Sequence, residues 1–589
     1  MKNSDKWNLD KLYKGFDEEF KRDAEGLKAA IEDLTSYSKI EFNSSENSVA
    51  KIETYLKKKI DLEYYTKTVK YVSLVLSADN ENSEAIKYRA QLMQANSSLS
   101  VPETLFEKFL KDLNISDLVA NSQFLKEHEF ILNFSKESAN HRLSEAEELV
   151  LSKIKMNAAD SWSNLWRELT STLDVELELD GEVKNIPLSL VRSLAKDSDS
   201  NVRKKALEAE LAAYPKIEKS AAAALSAIKG EAITISNLRG YESVLNMTLK
   251  HSRMDSETLE ALLSAMKEFL PMFQKYFTHK AKLLGHTNGK LPFYDLHAPV
   301  GNAEDMIFTR EAAEKFIIEN FMNFSEDLGS FVKNAFANEW VDWYPRKGKV
   351  GGAFCSNITS IKESRVLMNF NNSFDDVATL AHEFGHAYHG DSFKDSTPLN
   401  STYSMPIAEV ASTFCETIIF NAAFENATED QKISILETNL LGSSQIIVDI
   451  YSRFLFEDEI IRRREKGALL TEELKELMID VQKQTYGEAL VDYHPYMWLN
   501  KTHYYNANLN YYNFPYAYGL LFAKGLYGIY KKEGASFTQK YKELLTATGK
   551  NDLYEVGKIV GINVHDIEFW REGLREIEQE IEAFTKLGL

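Results

Sequence analysis

The chain has 589 residues, 27% of them charged and 44% apolar, with a formal net charge of −20. A chain this long exceeds one compact core and divides into sub-structures, and a negative field of that size repels phosphate backbones, which excludes nucleic acid as an expected partner. The sequence has 11 prolines and 26 glycines, few enough to favour long helices over sandwiches or barrels.

Residues 5–170 carry helical periodicity almost throughout. In EEFKRDAEGLKAAIEDL, Phe20, Leu27, Ile31 and Leu34 form one apolar stripe with charges elsewhere. Ser144 and Glu147 have the spacing of a capping box and start another helix. LDVELELDGEVKNIPLS departs from the pattern. Val175, Leu177 and Leu179 alternate up to Asp180-Gly181, which predicts a hairpin. A helical run follows from about 188 to about 285, then a Pro-bounded loop, LPFYDLHAPVG, then helices from about 309 to about 338.

WVDWYPRKGKVGGAFCSNITSIKESRVLMNF is rich in glycine, β-branched and aromatic residues and predicts two short strands. A strand beside the next helix can offer its edge to an extended peptide. From residue 373 onward the pattern is helical again. The expected fold is therefore mainly α with a small β-sheet, organised as an N-terminal helical domain over 1–190 and a catalytic domain over 191–589. No apolar segment follows the lysines of MKNSDKWNLDKLYKGF, and no run of 18 apolar residues predicts a membrane span. The two cysteines, Cys355 and Cys415, read as free thiols of a reducing cytosol.

The chemistry concentrates in TLAHEFGHAYHG. Ser373 and Asp376 predict the start of a helix over 374–391. With His382 at zero on the helical wheel, His386 lies at about 40° and Glu383 at about 100°. Two imidazoles one turn apart can share a metal ion, while Glu383 is turned toward a water beside it, as in zinc peptidases. Gly385 leaves room for a neighbouring backbone. His389 shares the face of the other two, but lies roughly 10 Å along the axis from His382, too far for one ion to reach both. It is assigned a supporting role outside the ligand set.

MPIAEVASTFCETIIF supplies the missing ligand. Pro406 starts a helix, and Glu409 and Glu416, seven residues apart, face the same way. Glu409 from a crossing helix would complete a His₂Glu site, and Glu416 is placed to hydrogen-bond a ligand imidazole. An endopeptidase, a zinc carboxypeptidase of related helical fold and a catalytically idle peptide-binding protein all accommodate this pattern. Intact Glu383 disfavours the idle reading, and a Glu-x-x-His metal-storage bundle lacks its repeated motif.

HEFGHAYH followed by AEVASTFCE resembles the M3 zinc metallopeptidases, and within that family the oligoendopeptidase F branch. WNLDKLY, YDLHAP, GGAFC, VLMNF, DVATLAHEFGHAYH and HYYNANLNYYNFPYAYG fall in the family's order along most of the chain. The resemblance implies a two-lobed helical ellipsoid with a deep central channel, cutting short unstructured peptides with one zinc ion per chain; the low cysteine count and lack of a secretory signal predict a cytoplasmic location. It matches His382, His386 and Glu409 to the zinc ligands and Glu383 to the base. By strand addition at an exposed edge, the 350–356 strand, with Gly351, Gly352 and Ala353, is expected to pair with the substrate backbone. His503, Tyr505, Tyr512 and Tyr516 fall in a substrate loop whose His and Tyr side chains contact substrate and stabilise the oxyanion.

Overall fold

The computed structural model describes residues 4–179, 181–301 and 306–587. The stripe of Phe20, Leu27, Ile31 and Leu34 lies on the buried face of the helix Glu18–Glu41, capped by the Asp17 carboxylate. That face packs on Tyr55, Leu56 and Val72 of the helix Ser48–Ala78. Each such side chain contributes about 1.5–3 kcal/mol by leaving water. The capping box at Ser144 and Glu147 forms as the spacing predicts.

Two compact units divide the chain, and neither is continuous. The first comprises Met1–Arg142, Met306–Ala422 and Ile529–Ile562, and the second Leu143–Asp305, Ala423–Gly528 and Asn563–Leu589. The expected boundary near 190 is not where these units part. The cause is visible in the first core, where Ile358 and Leu367 from the middle of the chain pack with Phe20 and Leu27. Backbone bonds from Asn8 N–H to Glu339 O (2.7 Å) and from Val350 N–H to Ser77 O (2.9 Å) fasten the same segments together.

Strands β1 (Asp174–Leu179) and β2 (Glu182–Pro187) form the expected antiparallel hairpin in the second unit. Val175 and Leu177 face inward as the alternation requires. The turn residue Asp180 lies outside the described residues. In the first unit, β3 (Val341–Asp342), β4 (Phe354–Ile358) and β5 (Glu363–Leu367) form a sheet ordered β3-β5-β4. β3 runs parallel to β5, and β4 runs antiparallel to it with Phe354 opposite Leu367. Two strands were expected here. The third has two residues, too few for a period-two signal. β4 has a sheet neighbour on one side only.

The run expected over 188–285 is divided. Helices Ser200–Ala213, Glu218–Leu238, Val244–His251 and Ser256–Leu283 are separated at Pro215, at Gly240 (φ 71°) and at the Asp255 cap. The helix Met405–Asn426 is long and apolar enough on average to match a membrane span, but Glu409 and Glu416 interrupt it, so it is not an unbroken run of 18 apolar residues. It is 56% buried against protein over that window and carries Glu409 and Glu416, so burial in the fold accounts for its apolar surface.

Candidate metal centre and active site

The motif helix spans Phe374–Ser392, one residue longer than expected, and begins with a complete capping box. Asp376 N–H donates to Ser373 Oγ at 3.1 Å, and Ser373 N–H donates to Asp376 Oδ2 at 3.0 Å. Its apolar face, with Val377, Leu380, Ala381, Phe384 and Ala387, is buried. The opposite edge carries His382, Glu383 and His386.

The helix Met405–Asn426 meets this helix at Gly385. A Cβ at that position would lie 2.5 Å from both Ala411 O and Ser412 Cα. Only glycine permits so close a contact, and the contact sets where Glu409 falls. Ligand atoms of His382, His386 and Glu409 all lie within 4.8 Å of one another. Glu409 Oε2 is 3.3 Å from His382 Nε2 and 3.7 Å from His386 Nε2. Ser412 Oγ donates to Glu409 Oε2 at 3.2 Å and steadies it.

The far sides of both imidazoles are also held. Glu416 Oε1 lies 3.5 Å from His382 Nδ1, on the ring edge away from Glu409. His386 hydrogen-bonds the backbone of Ala408. The Asn357 amide on β4 donates to His386 O at 3.1 Å and accepts from Ser364 Oγ at 2.7 Å, which ties the sheet to the motif helix. The Ala408 and Asn357 contacts are absent from the sequence reading, because nothing local marks them.

The electrostatics are those of a pocket short of positive charge. His382 is desolvated, which disfavours its charge, but Glu409 and Glu416 outweigh this and raise it to about 10. Burial and the neighbouring His382 lower His386 to about 4. Burial pushes Glu383 up to about 7 against the pull of His382, with Glu409 and Glu416 adding to the rise. Glu383 is 6% exposed, its Oε2 has no hydrogen-bond partner, and the backbone of Cys355 on β4 interacts with its carboxylate. Two imidazoles and three carboxylates in one recess fit a divalent cation of borderline softness such as Zn²⁺.

His389 is separate from this cluster. Its ring is fully buried between Phe393 and Tyr403, 4.0 Å from the Tyr403 centroid and nearly parallel to it, and Nε2 lies 2.8 Å from Thr548 Oγ1. Its contacts are those of a packed core residue.

Gly351 and Gly352 are exposed with open space where side chains would be, and Ala353 is half-buried. Asn369 donates to Gly352 O (2.7 Å) and Val350 O (3.0 Å), which holds this approach to β4. Cys415 is buried and Cys355 half-buried, and both are free thiols.

His503, Tyr505, Tyr512 and Tyr516 belong to the second unit. They lie in or beside an irregular segment, as the early asparagines suggest, containing the 3₁₀ turn Thr502–Tyr505 and leading into the helix Phe514–Glu533. A buried pair, Lys229 Nζ to Glu457 Oε1 at 2.6 Å, anchors the loop through Asn510 and Asn513. Tyr511, with φ 52°, donates to Asp458 at 2.8 Å. Tyr512 and Tyr516 are half-buried with ring centroids 5.6 Å apart. Burial, with Arg453 and two lysines nearby, holds the His503 imidazole well below its usual pKa, and its Nε2 has no hydrogen-bond partner. Tyr505 differs from the others. It is 2% exposed and stacks on Trp166 at 4.5 Å, a packing position.

Residues 193–576, more than half of the chain, match Peptidase family M3. Oligopeptidase PepF of Bacillus subtilis (strain 168) is 25% identical over 602 residues, covering 100% of this chain and 88% of that protein. Group B oligopeptidase PepB of Streptococcus agalactiae serotype III is 25% identical over 596 residues, covering 99% and 96%. The crystal structure of oligoendopeptidase-F from Enterococcus faecium shares the mainly α fold, with a TM-score of 0.69 and 19% identity over 96% of this chain and 99% of that one. The protein is a metalloendopeptidase, a hydrolase of peptide bonds. The chain belongs to Peptidase family M3.

Proposed function

We propose that the protein is a zinc-dependent oligoendopeptidase of the cytoplasm that cuts internal bonds of short unstructured peptides. The observation that carries the reading is the meeting of His382, His386 and Glu409 within 4.8 Å, with the buried Glu383 carboxylate alongside. His382, His386 and Glu409 would hold one Zn²⁺. When bound, zinc supplies Lewis-acid polarisation and draws the pKa of a water toward neutrality.

The chain's own groups do the remaining work. Glu383 takes the proton of the attacking water and returns it to the leaving amine. Its unpartnered Oε2 supports that role, since no internal hydrogen bond must be broken first. Glu416 and the Ala408 backbone fix the two imidazoles, as partners of metal-ligating histidines do. An extended substrate adds to the free edge of β4, and the open ground at Gly351 and Gly352, with Ala353 next, gives its backbone access. Backbone pairing leaves side-chain selectivity loose. His503, Tyr512 and Tyr516 are the proposed oxyanion donors, with Tyr505 holding their loop by its stack on Trp166.

An enclosed channel that admits only unstructured chains belongs to the same proposal. The test is product mapping by mass spectrometry on a peptide blocked at both ends, alongside a folded domain containing the same sequence. Internal cleavage of the peptide alone, abolished by a chelator and restored by Zn²⁺, is expected. An intact blocked peptide, a cut folded domain or chelator-resistant cleavage would each contradict the reading.

A further inference from the structure

The second unit holds a cavity of about 460 Å³ that the peptidase chemistry does not use. In a chain of net charge −20 its lining is basic, with Arg192, Lys196, Arg203 and Lys501. Arg203 is neutralised by a buried pair with Asp295, Nη2 to Oδ1 at 2.7 Å. Arg192 lies 3.3 Å from Glu210, which also accepts from the Tyr214 hydroxyl. Lys196 and Lys501 have no ion-pair or hydrogen-bond partner on Nζ among the described residues. Lys501 is half-buried, and desolvation draws its ammonium down to about 8.

Neutral donors add to the cations. His494 is 2% exposed and accepts Tyr496 N–H at Nδ1 (3.1 Å), which leaves its proton on Nε2. That Nε2 makes no hydrogen bond of ordinary length and faces Glu210 Oε1 at 3.7 Å, a carboxylate already engaged by Arg192 and the Tyr214 hydroxyl. Gln445 donates to His297 Nδ1 at 3.2 Å, so this second imidazole also carries its proton on Nε2. Asp449 favours the Lys501 charge from a distance but is itself paired with Arg453, and Lys196 is exposed, so Lys501 is the partly buried ammonium that a bound anion would satisfy. Phe293, Tyr294 and Met497 supply apolar and aromatic lining that a bare inorganic ion would not use.

We propose that this cavity binds a small organic carboxylate with an apolar body, of the size of an N-acylated amino acid or dipeptide. Lys501 and Lys196 take the carboxylate, and the aromatic wall takes the side chain. Peptide hydrolysis releases carboxylates of this class, but the site stands on its own geometry and does not rest on the peptidase reading.

The test is calorimetric titration of the full chain with acetyl-alanyl-phenylalanine, with its C-terminal amide and with inorganic phosphate, repeated on Lys501→Met. The acid is expected to bind at least tenfold more tightly than the amide, and Lys501→Met to weaken the acid at least tenfold. The variant should melt no lower than the wild type, since it removes an ammonium that burial disfavours. Equal binding of acid and amide, no binding of the acid, tighter binding of phosphate, a lowered melting temperature or an unaffected Lys501→Met titration would each overturn the proposal. Failure of the peptidase reading registers separately, as a wild type that binds the acid but leaves the blocked peptide intact.

Discussion

Gly385→Ala separates a tight helix crossing from a loose one by the sign of its effect. Alanine in place of glycine inside an unobstructed helix stabilises by roughly 0.5–1 kcal/mol. Here the added methyl would lie 2.5 Å from Ala411 O and Ser412 Cα and 2.7 Å from Ala411 C. Ordinary contact needs about 3.5 Å or more, so the two helices must part by about 1 Å. Overpacking of this kind costs about 1–3 kcal/mol, which outweighs the propensity gain. Glu409 lies two residues before Ala411 and moves with it, while zinc sites tolerate errors of only about 0.2 Å in ligand distance. Zinc affinity should therefore fall by about 100-fold or more, equivalent to about 2.7 kcal/mol. Thermal melting in chelator reads the packing effect, and competition with a fluorescent zinc chelator reads the affinity. A variant that melts at or above the wild type and keeps its zinc affinity would refute the crossing geometry.

Glu416→Ala leaves all three proposed ligands in place but frees the His382 ring, and zinc affinity should drop about 10–100-fold in the same chelator competition; an unchanged affinity would remove Glu416 from the site. His389 is held neutral by burial, to about 3, against about 6.5 in the unfolded chain. Its folded pKa is depressed, so its contribution is whole above pH 6.5 and lost as pH falls toward 3. From pH 6.5 to 4.5 the wild type should lose about 2–3 kcal/mol more stability than His389→Gln. Parallel denaturation curves for the two proteins across that range would contradict this. Tyr512→Phe and Tyr516→Phe should lower kcat by a decade or more in at least one case; if both are silent, the oxyanion donor lies elsewhere, with His503 next to test.

The motif helix was legible in the sequence because its signals are local. The Ser373–Asp376 box, the four-residue step from His382 to His386 and the seven-residue step from Glu409 to Glu416 all follow from the helical period. Gly385 was readable as a close approach, although only the fold identifies Ala411 and Ser412 as what approaches. His389 was set apart by distance along the helix axis. Its actual partner, Thr548, is 159 residues away and no local pattern could supply it. The same limit applies to Asn357, which reaches His386 from a different strand. The boundary expected near 190 followed a change in local pattern at the β1–β2 hairpin. The compact units are set instead by long-range burial, such as Ile358 and Leu367 against Phe20 and Leu27. Tyr505 and Tyr512 look alike in sequence, and only the stack on Trp166 distinguishes the packed ring from the partly open one.

The proton role of Glu383 is the point on which the proposed chemistry turns. Glu383→Gln keeps the size and shape of the side chain and leaves His382, His386 and Glu409 untouched. Zinc content by elemental analysis and cleavage of a quenched peptide, measured on one preparation, test it directly. The expected result is one zinc per chain, as in the wild type, with activity reduced by about 100-fold or more. Cleavage at the wild-type rate with full zinc would show that the base lies elsewhere.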